Sequence, residues 1–387
     1  MSKRLRLWPV VGVIGVRQCG KSTLLRDLFR PETSHAYVTM DSHAQRDHAL
    51  RSPESFAELN GERKMLIIDE IQKVPDLFDA IKLNVDENRR PGMYVISGST
   101  EFSRLTGIRE SLTGRIGLVH LYPLTLAELH GKSFGSYFVK KNPVTAGVSL
   151  SNFEKKIANG GMPGLCFLRS REEYNAACAM WLETTCYRDL QQVKGGSFDG
   201  ALALEVLSYL AQMREPTGHA VAQKLRRDTR VIQRYLDAFE AILVVLKLAP
   251  HQAGVGKNHY VLCDCGIANY LGASRDTVLR THALIEALAT LENEGLGRPL
   301  LKYYRNQKTS FIPIVLDWSA RRDAPNTLAI HIYDGETAER REVMALTAFG
   351  AKLGKPVRLL LLNQSKQSYF EKIDKKGGVL EVHPLRG

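Results

Sequence analysis

Val10-Val11-Gly12-Val13-Ile14-Gly15-Val16-Arg17-Gln18-Cys19-Gly20-Lys21-Ser22-Thr23 decides how the rest of the chain is read. Val10 to Ile14 is an apolar, β-branched run of the kind that fills a strand buried on both faces of a parallel sheet. It leads directly into Gly15 to Ser22, which satisfies every fixed position of the phosphate-loop pattern G-x-x-x-x-G-K-[ST]. The chemistry explains the spacing. Gly15 and Gly20 let the backbone turn so that the N–H groups of Val16, Arg17, Gln18, Cys19 and their neighbours point inward at phosphate, and the helix that follows presents its positive end there. Lys21 is expected to reach the β- and γ-phosphates, Ser22 to ligate Mg²⁺, and Thr23 to continue into the helix.

Such a loop needs an acid opposite it to organise the magnesium shell, and Met65-Leu66-Ile67-Ile68-Asp69-Glu70 supplies one at the end of an apolar run. Asp69 is expected at the metal and Glu70 as the general base that polarises water. A short strand, His35 to Met40, lies between the two motifs. A helix from Asp76 to Asn88 and a strand at Tyr94-Val95-Ile96 follow, so strands and helices alternate as in a doubly wound parallel sheet. The later strand enters Ser97-Gly98-Ser99-Thr100. Ser99 is taken as the γ-phosphate sensor, with Ser97 and Thr100 as near rivals and a helix-capping turn as the alternative. Arg115, ahead of the strand Ile116 to Leu121, can neutralise transition-state charge in cis or from a neighbouring subunit, or be a surface arginine.

The stretches GVRQCGKSTLL (Gly15 to Leu25), LIIDEIQKVPDLFDAIK (Leu66 to Lys82), VISGST (Val95 to Thr100), SLTGRIGLVHLYPLTLAEL (Ser111 to Leu129) and GGMPG (Gly160 to Gly164) resemble the bacterial and archaeal AAA-type P-loop ATPases that carry a C-terminal domain of unknown function. The resemblance covers most of residues 8 to 165. It implies ATP at the loop, its hydrolysis, a place for Arg115 in the ATP site, and a C-terminal region of restriction-endonuclease-like fold. Tyr187-Arg188-Asp189-Leu190 also resembles a motif of that family, and no chemistry is assigned to it.

Beyond residue 165, Ala201 to Met213, Ala220 to Leu225 and Arg230 to Leu243 have helical spacing, with a turn at Glu215-Pro216-Thr217-Gly218 and strand-like runs at Val244 to Leu248 and His259 to Cys263. This is the order of a winged helix. Asp228 or Thr229 would cap the third helix. Lys224, Arg226, Arg227, Arg230 and Arg234 would line its outer face, where they can contact the phosphates of double-stranded DNA or simply be solvated. Packing or oligomerisation is the competing role for such a module.

From Asp276 onward the pattern reads α-β-β-β-α-β, as the resemblance implies for a restriction-endonuclease-like domain. A nuclease of that type needs an acid on its second strand and an acid and a lysine on its third. Where the family reads Glu-Val-Asp-Phe this chain has Ile312-Pro313-Ile314-Val315, and where it reads Glu-Val-Lys the chain has His331-Ile332-Tyr333. Glu286 matches a family glutamate on the first helix, and Asp317 stands three residues late. The domain is therefore expected to be catalytically inactive.

The 387 residues divide on this reading into an AAA-type ATPase domain (1–165), a helical linker with a winged-helix module (166–272) and a restriction-endonuclease-like α/β domain (273–387). The formal net charge of +12 admits polyanionic partners, and half of it falls in residues 340–387. Six cysteines with no C-x-x-C pair read as free thiols of a reducing compartment. Lys3, Arg4 and Arg6 ahead of an apolar run imitate a signal peptide until Arg17 contradicts it, and no window reaches the ~20 apolar residues of a membrane helix. A cytoplasmic protein with no membrane partner is expected. Its expected function is a Mg²⁺-dependent, ATP-hydrolysing switch, monomeric or a homo-oligomer, that engages DNA. The alternatives are an ATP-stabilised DNA- or protein-binding regulator with little turnover, and a small-molecule kinase, for which no acceptor pocket or lid is legible.

Overall fold

A computed structural model of the chain describes residues 1–28, 35–60, 65–101, 112–131, 138–139, 148–193, 197–307, 310–318, 327–337, 339–353, 357–364, 369–372 and 379–384. Two units are resolved, one built on Met1–Tyr122 and the other on Pro123–Gln192, Gly196–Glu240 and Val244–Gly387. The described residues between Pro123 and 165, assigned from sequence to the ATPase domain, lie in the second unit.

The first unit comprises β1 (Val10–Ile14), α1 (Lys21–Leu28), β2 (His35–Thr39), α2 (His43–Arg51), β3 (Met65–Asp69), α3 (Leu77–Glu87), β4 (Tyr94–Gly98) and β5 (Ile116–His120). The five strands are all parallel in the order β2-β3-β4-β1-β5. β1 is buried along its whole length because it has a strand on each side and helices on each face. Val11, Val13, Leu25, Ile67, Val95 and Val119 close one core. Register aligns Ile14 with Gly98 and Ile68 with Ile96, so the carboxyl ends of β1, β3 and β4 share one edge of the sheet. In an open parallel sheet that edge is where ligands bind.

The second unit contains α4 (Leu150–Asn159), α5 (Arg171–Thr184), α6 (Gly200–Gln212), α7 (Gly218–Leu225), α8 (Thr229–Ala241), the hairpin β6 (Val245–Pro250) and β7 (His259–Leu262), α9 (Cys265–Tyr270), α10 (Arg275–Asn293), β8 (Leu300–Arg305), β9 (Phe311–Asp317), β10 (Thr327–Ile332), α11 (Arg340–Leu353), β11 (Arg358–Asn363), β12 (Tyr369–Lys372) and β13 (Val379–Pro384). Side-chain caps start several helices, among them the expected Asp228 cap. Asp199 accepts from Ala201 and Leu202, Thr217 from Ala220, and Asp228 from Arg230 N–H at 2.6 Å. Three helices and an antiparallel hairpin thus follow one another, with a bridge from Thr217 to His259.

β6 also pairs in parallel with β8, Ala249 against Lys302, so the hairpin is continuous with the C-terminal strands in one eight-stranded sheet of order β12-β13-β11-β10-β9-β8-β6-β7. The boundary read at 272/273 therefore falls inside a single unit. α11 lays Ala345, Leu346 and Phe349 onto Val315, Ala329, Leu359, Leu361, Leu380 and Val382. Asp317 closes β9 and is buried against Lys302, whose Nζ donates to it at 2.6 Å.

Candidate functional site

The phosphate loop leaves β1 at the carboxyl edge of the first sheet. Gln18 at φ 65° and Gly20 at φ 97° take left-handed backbone, which turns the chain back towards α1. Gly15 is required for a different reason: a Cβ there would stand 2.4 Å from Leu121 O and 2.6 Å from Cys19 Sγ. Lys21 is 4% exposed, and its Nζ donates to Gly15 O at 2.9 Å and Val16 O at 3.1 Å, inside the loop's own curve. Ser22 is half-buried beside it at the start of α1, and Thr23 is exposed. Burial pushes the Cys19 thiol up, so it stays protonated and packs as a small apolar residue. A tight glycine turn, an inward lysine and the free N–H groups of a helix start make a cradle that fits a nucleotide's phosphates.

Asp69 ends β3 and is 2% exposed, with both carboxylate oxygens engaged. Tyr37 O–H donates to Oδ2 at 2.8 Å, and Ser97 O–H donates to Oδ1. Burial, with the Asp69 carboxylate beside it, pushes the Tyr37 phenol up to about 12, and Arg26 lies 5.3 Å from its ring centre. The acid is thus held in one rotamer by β2 on one side and β4 on the other. Tyr37 carried no sequence signal; only the register of β2 on β3 brings it to Asp69.

Glu70 follows at φ 57°, ψ 41°, a left-handed conformation that costs a non-glycine residue about 1–2 kcal/mol. Its N–H donates to Ser97 Oγ at 3.4 Å. Its carboxylate accepts from Gln72 Nε2 at 2.5 Å, and the same nitrogen donates to Ser99 Oγ at 3.1 Å. The structure therefore brings Lys21, Ser22, Asp69, Glu70, Ser97 and Ser99 to one edge, separates the two serines by role, and adds Gln72 as the link between Glu70 and Ser99. Gln72 sits two residues past the acidic pair, a proximity visible in sequence but without meaning until the turn after β3 is formed. Ser22 and Asp69 are the residues that could hold a magnesium ion here: a hydroxyl and a buried carboxylate are hard oxygen donors.

Arg115 is not brought to this edge. It precedes β5 and its carbonyl accepts from Val10 N–H at 3.2 Å, which fixes it at the amino end of the sheet. Six residues of strand separate that level from Gly15, roughly 20 Å. Its guanidinium instead makes a bidentate pair with Asp86 of α3, 2.6 and 2.7 Å, which holds the Asp86 carboxyl below the usual carboxylate range.

In the second unit Lys224, Arg226, Arg227, Arg230 and Arg234 are all exposed, at the end of α7 and along α8. Arg234 is partly spent locally: it lies 5.2 Å from the Phe198 ring centre and donates to Ser197 O at 3.2 Å.

Glu286 is not at a surface site. It accepts from Leu126 N–H at 2.8 Å and lies 3.7 Å from the buried ammonium of Lys156, which donates to Leu124 O. Burial raises Glu286 to about 7. The β9–β10 ladder sets Ile314 opposite Ile330, so Pro313 and Phe311 share the face of His331 and Tyr333. Two acids holding one metal must share a face. Pro313, not an acid, occupies the position that faces His331 and Tyr333.

Residues 8–130 match the family described as an AAA domain, so the N-terminal region carries an AAA-type P-loop ATPase domain. Uncharacterized proteins of Mycobacterium bovis and Mycobacterium tuberculosis are each 28% identical to this chain over 338 residues, 83% of it and 70% of theirs. Among solved structures, a Pyrococcus horikoshii signal-transduction ATPase with numerous domains and a tetratricopeptide-repeat sensor matches 76% of this chain with 12% identity and a TM-score of 0.29. The chain covers 45% of that protein's length. C. elegans PCH-2 matches 62% of this chain and 63% of its own, with 13% identity and a TM-score of 0.23. No helix among the described residues is long and apolar enough to cross a membrane.

Proposed function

We propose that the protein is a Mg²⁺-dependent ATPase whose nucleotide cycle switches its engagement of DNA. The observation that carries the ATPase reading is the convergence of the lysine-lined phosphate loop, the doubly held Asp69 and the strained Glu70 on one sheet edge. A magnesium ion bound there would neutralise phosphate charge. Lys21 would exchange its two carbonyl partners for phosphate oxygens, Ser22 and Asp69 would hold the metal, and Glu70 would take the proton of the attacking water. Ser97 and Tyr37 position Asp69, and Gln72 and Ser99 position Glu70.

Arg115 is too far from its own loop to contribute in cis, so any role at the phosphates requires a second copy of the chain and a homo-oligomer. The DNA reading is supported by three helices, a hairpin and exposed arginines in the order of a winged helix, with Arg226, Arg227 and Arg230 as backbone contacts.

A second reading, an ATP-stabilised binding protein with little turnover, is favoured by one feature: the Glu70 carboxylate is already taken by Gln72. Steady-state hydrolysis of wild type beside Glu70→Gln decides between them. An active ATPase loses about 100-fold or more in kcat while still binding ATP. Equal, negligible turnover in both proteins overturns hydrolysis and leaves the binding protein. Lys21→Ala should abolish ATP binding in either case.

A further inference from the structure

A polar cavity of about 280 Å³ opens in the second unit where α10, α11, β9 and β10 meet, near the lower end of small-molecule sites at roughly 300–1,000 Å³. Three guanidinium groups converge on it: Arg214 and Arg341 at its rim and Arg280, whose side chain is 14% exposed, deeper inside. Arg214 and Arg341 make no hydrogen bond or ion pair among the described residues, and the buried Arg280 Nε has no partner. Of the acids that line the cavity, Asp276 is paired with Arg280 at 2.8 Å and Asp334 with Arg275 at 2.7 Å, which leaves Glu342 alone against the unused arginine donors.

A cation site is disfavoured by this balance, because two of the three lining carboxylates are already paired with arginines and the third faces arginine donors. Burial pushes the Arg280 guanidinium down, Asp276 opposes that shift and Arg214 adds to it, while burial with Arg280 and Arg341 drives His331 down to about 4, so the imidazole is neutral at physiological pH. The Arg214 and Arg341 forks, with no acid partner among the described residues, and the unpartnered Arg280 Nε match the geometry of phosphate oxygens better than any other side chain would. Beside them Phe311, with Arg280 stacked 5.0 Å from its ring centre, and Tyr333 offer flat apolar walls. The Glu342 Oε2 atom, buried without a partner, asks for a donor from whatever enters.

We propose that this cavity is a binding site for a phosphate monoester, gripped by Arg214, Arg280 and Arg341, with the attached organic group against Phe311 and Tyr333 and a donor on it meeting Glu342. It is separate from the ATP loop and does not depend on the ATPase reading. The phosphate can belong to a free nucleoside monophosphate or to the 5′ end of a nucleic acid, since both present the same group.

The test uses the full chain with Lys21→Ala, which removes phosphate binding at the loop. Calorimetric titration is run with AMP, adenosine, inorganic phosphate, and a short duplex bearing either a 5′-phosphate or a 5′-hydroxyl. AMP should bind and adenosine should not, and Arg341→Ala and Arg214→Ala should each weaken AMP at least about tenfold. Both arginines are at the rim, so folding survives their loss; Arg341→Glu should abolish binding altogether. A duplex that binds only when phosphorylated, and more tightly than AMP, assigns the site to nucleic-acid ends; the reverse order assigns it to the free monophosphate. Absence of binding by every phosphate probe, or binding unchanged in the Arg214→Ala/Arg341→Ala double variant, overturns the proposal.

Discussion

Under the proposed function, residues around the sheet edge divide into those that would touch nucleotide and those that aim them. Tyr37 and Ser97 each occupy one oxygen of Asp69, so deleting a hydroxyl frees the carboxylate to rotate rather than removing it. Tyr37→Phe should weaken Mg²⁺ dependence more than ATP binding, raising the Mg²⁺ needed for half-maximal hydrolysis by roughly 3- to 10-fold. An unchanged Mg²⁺ titration would remove Tyr37 from the site. Gln72 ties Glu70 to Ser99. Its replacement by Ala should change kcat by about tenfold with little change in KM, because the interaction governs the base and not the bound phosphates. The sequence showed which acid and which lysine to expect, since these are set by local spacing along one strand and one loop. It could not show Tyr37 or Gln72, whose roles depend on a neighbouring strand's register and on the turn after β3.

At the scale of elements, the informative join in the second unit is α4 against α9 and α10. Asp264 caps α9 and accepts from Gly161 N–H at 2.8 Å, while the Lys156–Glu286 pair ties α4 to α10. Removing one partner of a buried ion pair leaves the other charge uncompensated. Lys156→Met and Glu286→Gln should each destabilise above pH 7, where Glu286 is ionised, the lysine change more than the neutral glutamine, and the double variant by clearly less than their sum, as read from denaturant midpoints. Additivity would mean the two groups do not interact. The same carboxyl has a pH signature. Its folded value of about 7 lies above its ordinary value of 4.5, so between those limits the folded protein keeps a proton that the unfolded chain has lost. Stability from this group therefore falls as pH rises from 4.5 to 7. His259, stacked 3.8 Å from Tyr303 and driven by burial from 6.5 to about 4, has the opposite slope: its contribution is intact above 6.5 and lost as pH falls towards 4. Replacing His259 by Phe should flatten the acid limb of the stability profile, and an unchanged limb would show that it titrates freely.

For the whole molecule, what matters is which functions the two units can share. Arg226 and Arg227 after α7 and Arg230 and Arg234 on α8 are exposed, so DNA affinity carried by them should fall steeply with salt. Arg226→Ala/Arg230→Ala should lower the magnitude of the salt slope by about two, one per lost phosphate contact, and affinity indifferent to both salt and charge removal would end the DNA reading. Arg115 makes a prediction about assembly. If a neighbour's phosphates receive it, Arg115→Ala lowers turnover by about 10³-fold without changing ATP affinity, and mixing it with Glu70→Gln protein restores part of the activity. A strictly monomeric protein with full activity in Arg115→Ala would leave the arginine as the Asp86 partner and nothing more.

The sequence by itself determined the parallel sheet and its phosphate edge, because a both-faces-buried strand, a glycine loop and an acid-ended strand are each written in contiguous residues. It also determined the helix starts, since a cap is a contact between residues two or three apart. Tertiary structure alone decided what depends on partners distant in the chain. β6 joins β8 across about fifty residues, so the hairpin is fused to the C-terminal sheet. Glu286 is spent on Lys156, 130 positions away, rather than on a metal. Strand direction carries Arg115 to the edge opposite the loop, though β1 and β5 are neighbours. Residue order records who stands beside whom along a strand; pairing, register and burial decide who meets across it.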